Sequence, residues 1–319
     1  NLNPVPDSID NINGQLDIIN KDSVINIYPY ASITKGELGK ELSDMEELKD
    51  LAIAFSDDGR GVQDELMMRS AMIKAKELDK IIVAHCEVNE LLKGGYIHEG
   101  DYAKKHNHKG ICSASEYKEI ERDIKLAKEI GCKFHVCHIS CKESVELIRN
   151  AKKDGVDITC ETAPHYLILS DKDLKEDGYY KMNPPLRSKE DREALIEGIK
   201  DGTIDCIATD HAPHSEEEKS RGLEKSPFGI VGIEYAFPLL YTHLVKKEII
   251  TLEKLIDLLV INPSKRFNIP IQGFSIWNLD EEVMITKESM VSKGKATPFI
   301  NKKVYGKNIG TYYGGKKVW

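Results

Sequence analysis

No stretch of this chain approaches the roughly 18–20 consecutive apolar residues that a membrane-spanning helix needs, so no membrane partner is expected. A basic stripe is missing too: 45 Lys+Arg against 53 Asp+Glu leave a net charge of −8. That balance offers a nucleic acid few counterions to release, and no nucleic-acid partner is expected. It leaves room for a small anionic substrate, because a cleft can gather positive charge inside an acidic protein. Asn1–Ser8 is polar and proline-bearing, and no signal peptide is expected there. The seven cysteines form no CxxC pair, and Cys132, Cys137 and Cys141 lack the spacing of a zinc knuckle. Cys86, Cys137, Cys160 and Cys206 lie in apolar runs and read as small buried hydrophobes in a reducing, cytoplasmic protein. What is present is ordinary for a globular chain: 40% apolar and 31% charged residues over 319 positions, enough for one large core.

Short β-branched runs alternate with amphipathic stretches, the pattern of βα units and a parallel sheet. Six strand candidates stand out: Val24–Ala31, Ala52–Asp58, Ile81–Glu87, Lys133–Ser140, Asp157–His165 and Asp205–His211. Ile9, Ile12, Leu16 and Ile19 make one helical stripe, and Tyr117, Ile120, Ile124 and Ala127 another. Ser113 with Glu116, and Ser140 with Glu143, have capping-box spacing. Two further helical stretches, Glu234–Val245 and Leu252–Ile261, follow, and Phe274–Trp319 reads as a small β piece. The predicted domains are a barrel over residues 1–265 and a β segment with the tail over 266–319. Five strand candidates carry polar groups at their C-terminal ends: Asp57-Asp58, His85, His138, His165 and Asp210-His211. Strands apolar along their length and chemical at that end build the active site of a (β/α)8 TIM-type barrel. Such a barrel needs eight strands, so the first two βα units are expected to be missing from the N-terminal side.

Two imidazoles and a carboxylate on one rim (Asp58, His85, His138) form a ligand set for zinc or a similar divalent ion, and a carboxylate can bridge two metals. Each histidine alone reads better as a satisfied core residue; it is the group on neighbouring strands that favours a metal. Asp210, within Ala-Thr-Asp-His-Ala-Pro-His, can remove a proton from an activated water and return it to a leaving nitrogen; it also fits an N-cap. His214 is better placed for substrate than for metal, and His211 reads as structural or supporting. Two prolines stiffen Met182-Asn183-Pro184-Pro185-Leu186-Arg187, which would hold the Asn183 amide toward a ring carbonyl or N–H. Pro227-Phe228-Gly229 could offer backbone groups to a planar ligand. A plain turn accounts for either segment as well.

Taken in order, Asn-Leu-Asn-Pro-Val (1–5), Ser-Asp-Asp-Gly (56–59), Val-Ala-His-Cys-Glu (83–87), His-Val-Cys-His-Ile-Ser (135–140), Lys-Met-Asn-Pro-Pro-Leu-Arg (181–187), Ala-Thr-Asp-His-Ala-Pro-His (208–214) and Pro-Phe-Gly-Ile-Val-Gly (227–232) resemble the bacterial class I dihydroorotases of the amidohydrolase superfamily. The resemblance runs over essentially the whole chain. It implies that Asp58 bridges two zinc ions, that His85 and His138 bind one metal, and that Asp210 contacts the other as catalytic acid/base. It implies that Asn1, Asn183 and His214 touch substrate, with backbone contacts from Phe228 and Gly229. The implied reaction is reversible closure of N-carbamoyl-L-aspartate to (S)-dihydroorotate in pyrimidine biosynthesis, and a homodimer is a common state in the family.

Two departures stand against this. The family's His-x-His pair and following arginine on the first strand have no counterpart, and the connector around Gln272–Phe274 is short. With one metal site incomplete, activation of water would be crippled, and unpaired strand edges would be exposed. Two other functions stay open: a sibling cyclic amidohydrolase (dihydropyrimidinase, hydantoinase or allantoinase), and an inactive, metal-poor structural subunit. A substrate panel separates the first and metal analysis the second.

Overall fold

The computed structural model describes residues 2–319 and divides into two compact units by its contacts. The first comprises the chain up to Leu91 together with Ala114–Cys137 and Glu143–Glu161; the second comprises Leu92–Ser113, His138–Lys142 and Thr162–Trp319.

Parallel strands organise the first unit: β1 (Tyr30–Ala31), β2 (Ala54–Phe55), β3 (Ile81–Ala84), β4 (Lys133–Val136) and β5 (Ile158–Thr162), hydrogen-bonded in that order. Tyr30 faces Ala54, Ala54 faces Ile81, Ile81 faces Lys133, and Phe134 faces Ile158. Near-continuous apolar runs suit strands covered on both faces, and all four residues of β3 are buried. Each strand is shorter than its candidate run. In the first run Val24, Ile25 and Ile27 are exposed, because β propensity describes a fit to a pleated, half-buried surface, and only Tyr30–Ala31 finds one.

Helices join the strands. In α1 (Ile9–Asp22) Ile12 is the buried member of the predicted stripe, and Ile9 is exposed. The Asp64 carboxylate accepts the Met67 N–H at the start of α2 (Glu65–Glu77), which buries Met68, Ala71, Met72 and Ala75 on one face. That spacing is one helical stripe, and each buried methionine contributes about 1.5–3 kcal/mol of transfer free energy. It packs on α3 (Ala114–Ile130), which starts directly after Ser113, where the start signal lies. The face α3 buries is rotated from the predicted stripe: Glu116, Glu119 and Asp123 go inward with Ile120, Leu126 and Ala127, and Tyr117 and Ile124 stay half-buried. Hydrogen bonds to the acids override the apolar pattern there, among them one from Ser144 Oγ to Glu116 (2.6 Å).

In the second unit the Ala208 N–H donates to the carbonyl of Thr162, at the end of β5, at 3.0 Å and brings in β6 (Cys206–Ile207). His165 lies outside β5: Pro164 opens a short helix, Pro164–Ile168, so the histidine is helical where the strand reading had put it in line, as expected of proline at a first helical position. Helix α4 (Lys142–Lys153) begins one residue too late for Ser140 to cap it; the Ser140 hydroxyl instead accepts from Arg187 Nε at 3.1 Å. Ser188 and Asp191 form a reciprocal capping box at the start of α5 (Lys189–Asp201), and Gly202 ends it at φ 82°, a left-handed stop that favours glycine. The tail is β as expected: β7 (Gly273–Met284), β8 (Lys303–Tyr313) and β9 (Lys316–Lys317) make an antiparallel sheet with β8 central. Val304 of β8 joins Val231, Leu239, Ile285, Met290 and Phe299 in a buried hydrophobic cluster. No helix among the described residues is long and apolar enough to cross a membrane.

Candidate metal centre

Two adjacent aspartates follow β2 and do different work. Asp57 is buried, and its carboxylate accepts from the backbone N–H groups of Ile33 (2.7 Å) and Thr34 (3.0 Å) and from the Thr34 hydroxyl. Burial raises its pKa while those bonds pull it down. With Asp57 tied to the loop after β1, Asp58 points elsewhere, toward the residue following β3: its Oδ1 lies 3.6 Å from His85 Nδ1. His138 is joined by its peptide bond to Cys137, whose own N–H donates to the Ala84 carbonyl at 3.0 Å. One ligand atom from each of Asp58, His85 and His138 lies within 4.8 Å of the others, both imidazoles being buried. Two imidazole nitrogens and a carboxylate oxygen at this spacing fit one small divalent cation, and the donor chemistry suits zinc. His138 holds φ at 31°, a region a non-glycine residue rarely occupies, and such outliers cluster at ligand sites.

The segment after His85 is braced from α3. Glu119 accepts the Glu87 N–H at 3.0 Å, and Arg122 binds Glu119 (3.1 Å) and Asp123 (2.8 Å). Burial raises the pKa of both acids, and the Arg122 guanidinium opposes that rise. Gln63 adds a bond from Nε2 to the Glu87 carbonyl at 2.9 Å. Within the same unit His135 is fully buried, with Nδ1 2.7 Å from Thr159 Oγ1 and Nε2 3.2 Å from Glu161 Oε2. Sequence reading passed over this pair, although the period-two spacing of Thr159 and Glu161 places both on one face of β5.

In the second unit Asp210 also has a left-handed backbone, φ 46°, and it is not one of the three clustered ligands. His211 Nδ1 accepts from the N–H groups of Gly232 (3.2 Å) and Ile233 (3.4 Å), a structural duty, and burial lowers its pKa. His165 is fully buried, its Nε2 has no hydrogen-bond partner among the described residues, and burial pushes its pKa down to about 3, with His138 adding to the shift; it is a neutral imidazole. Asn183 is half-buried between buried Met182 and Pro184. The proline-stiffened loop is pinned by Tyr166 Oη, which donates to the Pro184 carbonyl at 2.6 Å, and by buried Arg187, which donates to the Ile111 carbonyl at 2.9 Å. Gly229, at φ 141°, passes so close to the next loop that an added Cβ would lie 2.6 Å from the Ala212 carbonyl oxygen and 3.0 Å from a ring carbon of His214. Gly229→Ala should therefore lower the unfolding free energy by about 1–3 kcal/mol through overpacking and backbone strain. A denaturant midpoint unchanged from wild type would contradict that close approach. Asn1 falls outside the described residues.

A family model described as "Dihydro-orotase-like" matches residues 1–144. Dihydroorotase of Fusobacterium nucleatum is 52% identical over 99% of this chain and 76% of its own length. The chain belongs to the dihydroorotase family. Dihydroorotases of Halalkalibacterium halodurans and Staphylococcus aureus are each 50% identical, over 100% and 99% of this chain and 77% of their own lengths. Among solved structures, an L-hydantoinase from Arthrobacter aurescens covers 96% of this chain and 73% of its own, at TM-score 0.83 and 24% identity. A dihydropyrimidinase from Brevibacillus agri gives 0.82 and 22%, over 96% of this chain and 73% of its own. These likenesses show the fold, an α/β TIM-type barrel, as the strand-end pattern had led one to expect. A dihydroorotase-family chain is a hydrolase, and this one carries a candidate metal site in Asp58, His85 and His138.

Proposed function

We propose that this protein is a zinc-dependent dihydroorotase that interconverts N-carbamoyl-L-aspartate and (S)-dihydroorotate in pyrimidine biosynthesis. The observation that carries the proposal is likeness at 50–52% identity to dihydroorotases over 99–100% of this chain, in a chain whose Asp58, His85 and His138 offer three mutually close ligand atoms. Those three side chains, with Asp210, would hold the zinc, Asp58 supplying carboxylate oxygens and His85 and His138 imidazole nitrogens. Bound zinc would supply Lewis-acid polarisation of the ring carbonyl and a lowered pKa for water. Asp210 would take up the proton released when water attacks and deliver it to the departing ring nitrogen. Asn183 and His214 would contact substrate through their side chains, Phe228 and Gly229 through their backbone, and Asn1 from the N-terminal side.

The hydantoinase-like structures match at no more than 24% identity, a likeness of fold that carries no substrate. Turnover of dihydroorotate, dihydrouracil, hydantoin and allantoin by the full-length zinc-loaded protein discriminates. Dihydroorotate should lead in kcat/KM by at least about 10²-fold, since a site that pairs a ring carboxylate leaves its own polar groups unpaired when that carboxylate is missing. Comparable turnover of dihydrouracil would sink the assignment.

A further inference from the structure

Lys219 closes a short helix, Glu216–Lys219, and is fully buried. Its ammonium makes no ion pair among the described residues. It donates instead to three backbone carbonyls: Gly229 at 2.7 Å, Pro227 at 2.9 Å and Lys181 at 3.1 Å. An unpaired buried cation costs several kcal/mol before those bonds are counted, and an apolar side chain of the same length would fill the space without that cost. Where the three carbonyls lie is therefore informative. Two of them flank Phe228, and the third immediately precedes Met182-Asn183. The Gly229 N–H also donates to the Lys181 carbonyl at 3.1 Å, and Lys181 Nζ lies 4.6 Å from the Phe228 ring centre while donating to the Glu224 carbonyl at 2.8 Å. Ser226 Oγ donates to the carbonyl of Lys219 itself at 3.0 Å, closing the knot from the other side.

We propose that Lys219 is a positioning residue: its ammonium ties the loop bearing Asn183 to the loop bearing Phe228 and Gly229, and so sets the affinity for the cyclic substrate. The proposal rests on the assignment of Asn183, Phe228 and Gly229 to substrate contact. Three carbonyl oxygens converging on one nitrogen match the three N–H donors of an ammonium. A neutral amine has only two, so the clamp loosens on deprotonation. Lys181 and Asp177 are the charged groups facing Lys219 from the adjoining loop. Burial, followed by the Lys181 charge, brings the Lys219 pKa down to about 8, and Asp177 opposes the fall. The ammonium is thus present below about pH 8 and is lost above it, far earlier than for an exposed lysine. Burial lowers Lys181 as well, so the experiment has to separate the two.

Full-length wild type and Lys219→Met are compared in two ways: KM and kcat for dihydroorotate between pH 7 and 9.5, and amide hydrogen exchange over residues 181–183 and 227–230. In the variant, which loses all three bonds of the ammonium, KM should rise by at least about 10-fold at pH 7, with kcat within about 3-fold. Exchange should quicken in those two segments alone. Wild-type KM should climb above about pH 8, and the variant should show no such step. Unchanged KM with unchanged exchange, or a fall confined to kcat, overturns the proposal; a pH step that survives in the variant assigns the titration to Lys181 and overturns it too. Should the variant not fold, the wild type decides alone. Exchange corrected for its intrinsic pH dependence should accelerate at 227–230 above pH 8, and a uniform response across the chain overturns the clamp. A wild type that shows the loop response but ignores dihydroorotate counts against the functional assignment, and takes only the affinity role from Lys219.

Discussion

Asp210→Asn is expected to lower kcat for dihydroorotate by about 10³-fold or more while zinc content stays at the wild-type level. The expected loss sits at the upper part of the range for removing a general acid/base, because one carboxylate is asked to accept and then return the proton. Asparagine suits the test for a backbone reason. Position 210 holds φ at 46°, where asparagine and aspartate are tolerated and β-branched residues are not. The amide keeps the size and an oxygen that can face a metal, and loses only the capacity to carry the proton. Metal analysis alongside steady-state kinetics reads both halves. Wild-type turnover in Asp210→Asn would remove the proposed catalytic role outright.

The second large effect is on the metal. His138→Asn should weaken zinc binding by more than about 100-fold, since loss of a partner that merely orients a ligand already costs 10–100-fold. Here too asparagine is chosen for its tolerance of a left-handed backbone, φ being 31° at His138; alanine would mix strain with ligand loss. Competition with a coloured chelator measures the affinity. The same experiment on His135→Asn is a control: that imidazole is already engaged by Thr159 and Glu161, so its replacement should disturb stability more than zinc affinity. Equal zinc affinity in wild type and His138→Asn would leave the cluster of Asp58, His85 and His138 without a metal to explain it.

The group of Asp58, His85 and His138 was legible in the sequence because its two imidazoles announce themselves locally. His85, one residue past β3, and His138, two past β4, follow apolar runs, and several ionisable groups at the ends of neighbouring strands point to a shared site where one alone would not. Asp58 was harder, since Asp57 beside it has the same chemistry. Only the bonds from Ile33 and Thr34 to Asp57 separate a structural carboxylate from a candidate ligand. His165 looked like a strand-end residue until Pro164 turned the chain into a helix. The stripe predicted for α3 held in part: Ile120 and Ala127 are buried, Tyr117 and Ile124 only half so. A period of 3.6 locates a helix, but polar partners on neighbouring elements decide which of its faces goes inward, and here they drew in Glu116, Glu119 and Asp123.

The pattern of residues along the chain was sufficient for the alternation of strands and helices and for the barrel class, since period and composition are local properties that every residue carries with it. Tertiary structure alone decided which of two adjacent aspartates faces His85, that His135 is held by Glu161, and that Lys219 sits under two loops. Those facts depend on contacts between residues as many as 38 positions apart. A buried charge finds its partners through the fold, and no local rule announces where three carbonyls will converge.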